Sequence, residues 1–178
     1  MTPRGDAPPL GLPRGQVALA RPHAAWPRLF ERERDRLRLA LDPLPATIEH
    51  VGSTAVPGLL AKPILDLMIG LPAAEPAEPY GARLERAGYE ALGEKGIPGR
   101  QFFAAGRTIR THHIHLVEQE GAFWRTHLQF RDILRRRPDL AAAYAALKAE
   151  LAARFPADRD AYTDGKNEFI AGVLRESA

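Results

Sequence analysis

The segment 63–71 (PILDLMIGL) constrains this chain more than any other. It is almost continuously apolar, its length fits a strand, and it carries one charge, Asp66. A run of this kind is expected to form a central strand covered on both faces. An ionised carboxylate buried there without a partner is costly. Asp66 must therefore pair with a cation, bind a metal, or stand at a strand end that faces a cleft.

The flanking sequence supplies the rest of a sheet and its helices. Residues 23–41 place Trp26, Leu29, Phe30, Leu37 and Leu41 at helical spacing among charges, and Pro43 and Pro45 end that helix. Segment 47–51 (TIEHV) predicts a short strand entering the turn Gly52-Ser53-Thr54. A helix is expected after Pro79, closed by Gly88. Strands are expected over 89–92, 101–105 and 108–117, then helices over 123–137, 140–155 and 158–175. This order describes an α+β domain with a mixed β-sheet, flanked by helices and covered by the C-terminal ones. With 178 residues, 45% of them hydrophobic, residues 17–178 suffice for a single domain. Residues 1–16, rich in Pro and Gly and without periodicity, are expected to be a flexible tail.

Composition narrows the function. The chain has no cysteine, so disulfides, thiolate metal sites and a cysteine nucleophile are excluded, and a cytoplasmic location is the expectation. No apolar run reaches the roughly 18 residues of a membrane span, and no signal-peptide core is visible. The net charge of +3 permits an anionic ligand. The dense basic run Arg135-Arg136-Arg137 reads as a solvated helix end, so nucleic acid is not the expected partner.

Several residues suit a site around Asp66. In a strand, His113 and His115 share a face. They are either metal ligands that join Asp66 and leave coordination positions open, or hydrogen-bonded histidines that shape an anion pocket. Gly52 permits close backbone approach to a phosphate, and Ser53 and Thr54 supply hydroxyl donors. Lys62, Arg100, Arg131, Lys148 and Lys166 are candidate cations for an anionic substrate. Tyr144 and Tyr162 offer rings for stacking, with packing as the alternative. Trp26 and Trp124 are assigned to packing.

The runs Ile48-Glu49-His50-Val51-Gly52-Ser53-Thr54-Ala55-Val56-Pro57-Gly58-Leu59 and Lys62-Pro63-Ile64-Leu65-Asp66 resemble the central motif of the GrpB family. Further similar segments follow in order: 96–100 (GIPGR), 111–115 (THHIH), 130–135 (FRDILR), 144–148 (YAALK) and 162–166 (YTDGK). The resemblance implies a fold similar to the polymerase-beta-type nucleotidyltransferases. In those enzymes Gly-Ser precedes a strand whose two carboxylates hold Mg²⁺ on nucleotide phosphates. This chain matches Gly52-Ser53 and the first carboxylate, Asp66. At the second it has Met68, a poor ligand for Mg²⁺, and histidines at 113 and 115 favour a transition metal or an uncharged-histidine pocket instead. The resemblance also raises Arg131 and Lys166 as substrate contacts. Three readings follow: a nucleotidyltransferase-like protein that binds a nucleotide or other phosphorylated small molecule, with Asp66, His113 and His115 as the chemistry-bearing and metal-binding set; a non-catalytic accessory module near coenzyme A or nucleotide metabolism; and a metal-dependent phosphoesterase. A divalent metal, Mg²⁺ or a transition metal, is the expected cofactor of the first and third.

Overall fold

Alternation along β-forming segments and a charge-apolar pattern along the helices produce a layered domain. The computed structural model describes residues 10–73 and 75–176. Its elements are β1 (Leu12–Pro13), α1 (Trp26–Leu41), β2 (Thr47–Val51), β3 (Leu65–Leu71), α2 (Glu78–Arg86), β4 (Glu90–Ala91), β5 (Gln101–Ala105), β6 (Ile109–Arg110), β7 (His112–Glu118), α3 (Ala122–Arg136), α4 (Pro138–Arg154), α5 (Arg159–Asp164) and α6 (Asn167–Glu176). The main sheet has the order β2-β3-β7-β5-β4, parallel at β3–β7 and antiparallel elsewhere. Proline in the first turn starts α1, α2 and α4, where its missing N–H costs no helical bond.

β3 is apolar throughout because both of its faces are covered. On one face Leu65, Leu67, Ile69 and Leu71 pack with Trp26, Phe30, Leu37 and Leu41 of α1 and with Tyr80 and Leu84 of α2. On the other, Met68 packs with Val51, Val117 and Trp124 at the start of α3. This second cover is complete at Met68, which is 0% exposed, and incomplete two residues earlier, where the Asp66 side chain is 28% exposed. The single charge in the strand thus stands where the roof ends. Helices α4 to α6 pack on α3 and on the β2–β3 connection, through Val56 and Leu59 against Leu134 and Tyr144.

Two expectations are corrected. Part of the 1–16 arm is tied down: Leu12 is buried, β1 pairs with β6, and Gly11 N–H donates to Pro63 O at 2.8 Å. Residues 1–9 of that arm lie outside the described residues. The helix expected over 158–175 is broken at Gly165, where a Cβ would come within 2.5 Å of Leu151 Cδ2. That break sits beside Lys166 and so bears on the site. Among the described residues no helix is long and apolar enough to cross a membrane.

Candidate functional site

Register assembles the centre of the site. Asp66 of β3 lies opposite His113 of β7, and Met68 opposite His115. Period-two alternation therefore puts Asp66, His113 and His115 on the face that α3 leaves partly open. His113 Nδ1–H donates to Asp66 Oδ1 at 3.1 Å, and His115 Nε2 lies 4.0 Å from the same oxygen. Arg100 Nη1 donates to His115 Nδ1 at 3.4 Å. A guanidinium only donates, so His115 carries its proton on Nε2, toward Asp66. Burial pushes the Asp66 carboxyl up, but the hydrogen bond from His113 and the nearby His115 ring outweigh it and hold the group well below the usual range. Burial keeps His113 below its ordinary value despite Asp66. Near neutral pH the centre is one carboxylate beside a neutral imidazole.

This pairing differs from the three-ligand metal centre that the His-x-His spacing suggests. Among the described residues no group of three or more His, Cys, Asp or Glu side chains is placed to hold a metal ion. His113 commits Nδ1 to Asp66, and Met68 offers only a buried thioether on the same face. Nearby acids do not fill the gap. Glu49 is paired with Arg131 at 2.8 Å, and Glu118 is exposed. His50 is stacked on Phe30 on the opposite face and bonded to Thr54 Oγ1 at 2.9 Å.

The Gly52 turn forms one wall. Gly52 has φ 70° and ψ −172°, a region essentially confined to glycine. A Cβ here would lie 2.6 Å from Asp66 Oδ2. The 3-10 turn Ser53–Ala55 that follows is held by Arg135, whose Nε and Nη2 donate to Ala55 O at 3.0 and 2.8 Å. One arginine of the supposedly solvated run thus supports the site. Ser53 Oγ accepts a 2.8 Å bond from Lys148 Nζ, which also donates to Leu60 O. Thr54 is buried and faces His50, so of the predicted triplet Gly52 and Ser53 form the wall and Thr54 braces it from behind. Gly52→Ala is expected to cost about 3 kcal/mol, from backbone strain and displacement of Asp66. A urea melt checks this; unchanged stability would show that Asp66 yields freely.

Cations make up the other wall. Lys62 and Lys166 place Nζ 5.4 and 4.6 Å from the centroid of Tyr162, and Lys148 Nζ lies 4.8 Å from that of Tyr144. Among the described residues none of these three ammonium groups has a carboxylate ion pair. Burial, then repulsion from Lys166 and Lys62, pushes Lys148 down to about 7. Burial and Lys62 push Lys166 down to about 8, and burial lowers Lys62 as well, against the pull of Asp66. Tyr162 is 1% exposed, so its ring is a platform for two lysines and not an open stacking surface.

Arg131 departs from its expected role as a substrate contact. It bonds Glu49 at 2.8 Å, His50 O at 2.9 Å and Asp132 at 2.8 Å, which fastens α3 to β2 and leaves its charge satisfied. Arg100 is buried in the site, bonded to Glu94 O and Lys95 O. Arg159, which no sequence signal singles out, sets its guanidinium 5.9 Å from the ring of Phe102. In sequence it follows the capping Asp158 like an ordinary surface arginine. Only the return of α5 over the sheet brings it to the site.

Comparison with known proteins agrees with this architecture. The family model described as GrpB protein matches residues 16–176. Glutamate-rich protein GrpB of Alkalihalophilus pseudofirmus is 35% identical over 172 residues, covering 94% of this chain and 99% of that protein. UPF0157 protein YqkA of Bacillus subtilis is 39% identical over 158 residues, 89% of this chain; the matched part spans 46% of that relative. The crystal structure of conserved protein GrpB from Enterococcus faecalis is similar with a TM-score of 0.81 and 35% identity, over 90% of this chain and 96% of that one. The Cid1 poly(U) polymerase is a distant likeness, with a TM-score of 0.53 and 14% identity over 75% of this chain and 44% of that one, and shows the nucleotidyltransferase-like scaffold alone. Family model and close structural match cover nearly the whole chain, and the chain belongs to the GrpB family.

Proposed function

We propose that this protein binds a nucleotide or another phosphorylated small molecule between the Gly52-Ser53 turn, Asp66 and the lysines of the C-terminal helices. One observation carries the reading: Lys148 bonds Ser53 while Lys62 and Lys166 share the Tyr162 ring, the three charges repel one another, and Asp66, whose charge reaches Lys62 and Lys166, forms an ion pair with none of them among the described residues. Cations so arranged, one buried and two half-buried, are unfavourable until an anion joins them. A phosphate suits the rest of the wall, because Gly52 allows close backbone approach and the Ser53 hydroxyl can turn to donate. The scaffold adds weight, since a solved Cid1 structure is described as MgGTP-bound. Nucleotides are therefore the first ligands to try.

Binding is better supported than transfer. Nucleotidyl transfer of the polymerase-beta type uses paired carboxylates on one strand, and β3 presents Asp66 followed by a fully buried Met68. Within the binding reading, Ser53 and the lysines hold the phosphates, Asp66 balances the lysine charge, and His113 is kept neutral by burial and oriented by Asp66.

Thermal melts with nucleoside triphosphates and coenzyme A precursors, each with and without Mg²⁺, test the proposal. A ligand at about 100 times its Kd stabilises by about 2.7 kcal/mol, a clear rise in Tm. The rise should vanish in Ser53→Ala and Lys148→Met. A Mg²⁺ requirement that Asp66→Asn removes would move the reading toward metal-assisted chemistry. Ligands that stabilise Lys148→Met as well as the unaltered protein would refute the site.

A further inference from the structure

The arginines of the site are arranged differently from the lysines. Arg100 is 8% exposed. It is solvated by two backbone carbonyls and by His115, yet among the described residues no carboxylate meets its charge. Arg110, the other arginine buried to this degree at 6% exposed, has Glu90 at 2.8 Å. Arg159 also has no ion pair or hydrogen bond among the described residues. Both guanidiniums lie against one ring, 5.1 and 5.9 Å from the centroid of Phe102. Burial, then repulsion from Arg159, holds Arg100 below its ordinary value. Two like charges drawn to one buried ring, with no counter-charge, describe half of an ion pair.

Arg100 stands apart from the lysines, and Arg159 lies between, close enough for its charge to push down Lys62 and Lys166. Ser53 follows β2, whereas Phe102 belongs to β5, and the sheet order places three strand spacings between those strands. That is about 14 Å at the usual spacing, more than a single phosphate spans. The Phe102 ring also touches His113 and His115, with centroids 5.1 and 5.2 Å away. An anion held by the arginines would thus lie on the β5 side of the Asp66 centre.

We propose that Arg100 and Arg159 form a second anion subsite, distinct from the lysine subsite at Ser53, which takes the phosphate or carboxylate of a second substrate beside His115. A guanidinium presents paired donors that match two oxygens of either group, and two guanidiniums around one ring define its orientation. The inference extends the phosphate-binding reading to two ligands, and it rests on that reading only for the lysine side.

Titration of the ¹⁵N-labelled protein with inorganic phosphate tests it, read at the backbone amides of Ser53 and Phe102 and the Nε–Hε signals of Arg100 and Arg159. Two independent isotherms are expected. Arg159→Ala should weaken the Arg100 and Phe102 isotherm at least tenfold and leave that of Ser53 within twofold. Arg159→Lys should recover part of the loss, and an unaltered amide spectrum elsewhere establishes folding. One shared isotherm, or no effect of Arg159→Ala at Arg100, overturns the proposal. An arginine isotherm without any response at Ser53 keeps it and removes the lysine reading instead. Repeating the titration with acetate identifies the group: a response at Arg100 at similar concentration assigns a carboxylate, and a response to phosphate alone assigns a phosphate.

Discussion

Raising the pH from 7.5 to 9 is expected to weaken binding of a fully ionised phosphate ligand by at least about tenfold, while the ligand-free protein becomes more stable over the same range. Lys148 is pushed down to about 7 and Lys166 to about 8, against an ordinary value of 10.5, chiefly by burial and by neighbouring lysines. Above those values the free protein holds neutral amines, and an anion must bring protons back before it can use them. Each pH unit above the free-state value costs about 1.4 kcal/mol, or tenfold, for each lysine recharged. The ligand's own second ionisation, near 6, has the opposite sign and is nearly complete by the start of the window. Stability runs the other way. Between about 7 and 10.5 the unfolded chain holds lysine protons that the folded chain does not, so folding gains as pH rises. Calorimetry in two buffers of different ionisation heat measures the proton uptake, and melts across pH measure the stability arm. Lys148→Met should lose about two orders of magnitude in affinity, the worth of a buried charged hydrogen-bond partner, and flatten the stability profile. Affinity that stays level from pH 7.5 to 9 would mean that the lysines keep their protons and carry no such strain.

The centre of this site is legible in sequence because it violates the pattern around it. Asp66 stands out as the one charge in an apolar strand, and the period-two rule puts His113 and His115 on one face with no knowledge of the fold. The resemblance supplies the rest of the frame, since Gly52-Ser53 alone is too common to mean anything. What sequence cannot weigh is competition for the same group. Arg131 lies in a family-like segment, but Glu49, far away in the chain, claims its guanidinium. Thr54 sits in the same turn as Ser53, yet a turn of one residue points it at His50. Metal-ligand spacing at His113 and His115 says nothing about a carboxylate close enough to accept a hydrogen bond from Nδ1–H. Arg159 and Arg135 are invisible for a related reason. Each lies at a helix end, where an arginine is ordinary, and only the packing of α5 and α3 brings Arg159 to the Phe102 ring and Arg135 to Ala55 O. Gly165, inside a periodic pattern, has the same origin, since only the approach of Leu151 leaves no room for a side chain there.

Met68→Asp, which would complete the carboxylate pair of the polymerase-beta-type enzymes, is expected to unfold the domain before it gains a metal. Met68 is 0% exposed and packs with Val51, Val117 and Trp124. Removing that side chain from a core costs about 2–5 kcal/mol. An unpaired carboxylate in its place adds several more, or forces itself to protonate, because Val51, Val117 and Trp124 give it no polar partner and Glu49 stands opposite in register. Its neighbour Asp66 is already ionised, so the new group faces like charge along the strand as well. The sum is comparable to the roughly 5–15 kcal/mol that holds an ordinary domain together. Urea melts should show a midpoint far below that of the unaltered protein, and titration with Mg²⁺ should not restore it. Met68→Leu, which keeps the volume without the sulfur, should cost less than about 1.5 kcal/mol and leave phosphate binding intact. That pair of variants separates two accounts of the missing acid. If Met68→Asp folds well and binds Mg²⁺, the position is a metal seat from which one ligand has been lost. If it collapses while Met68→Leu is tolerated, the floor beneath Asp66 is hydrophobic core, and any ligand or metal at Asp66 would have to be met by the carboxylate, imidazoles and cations that surround it.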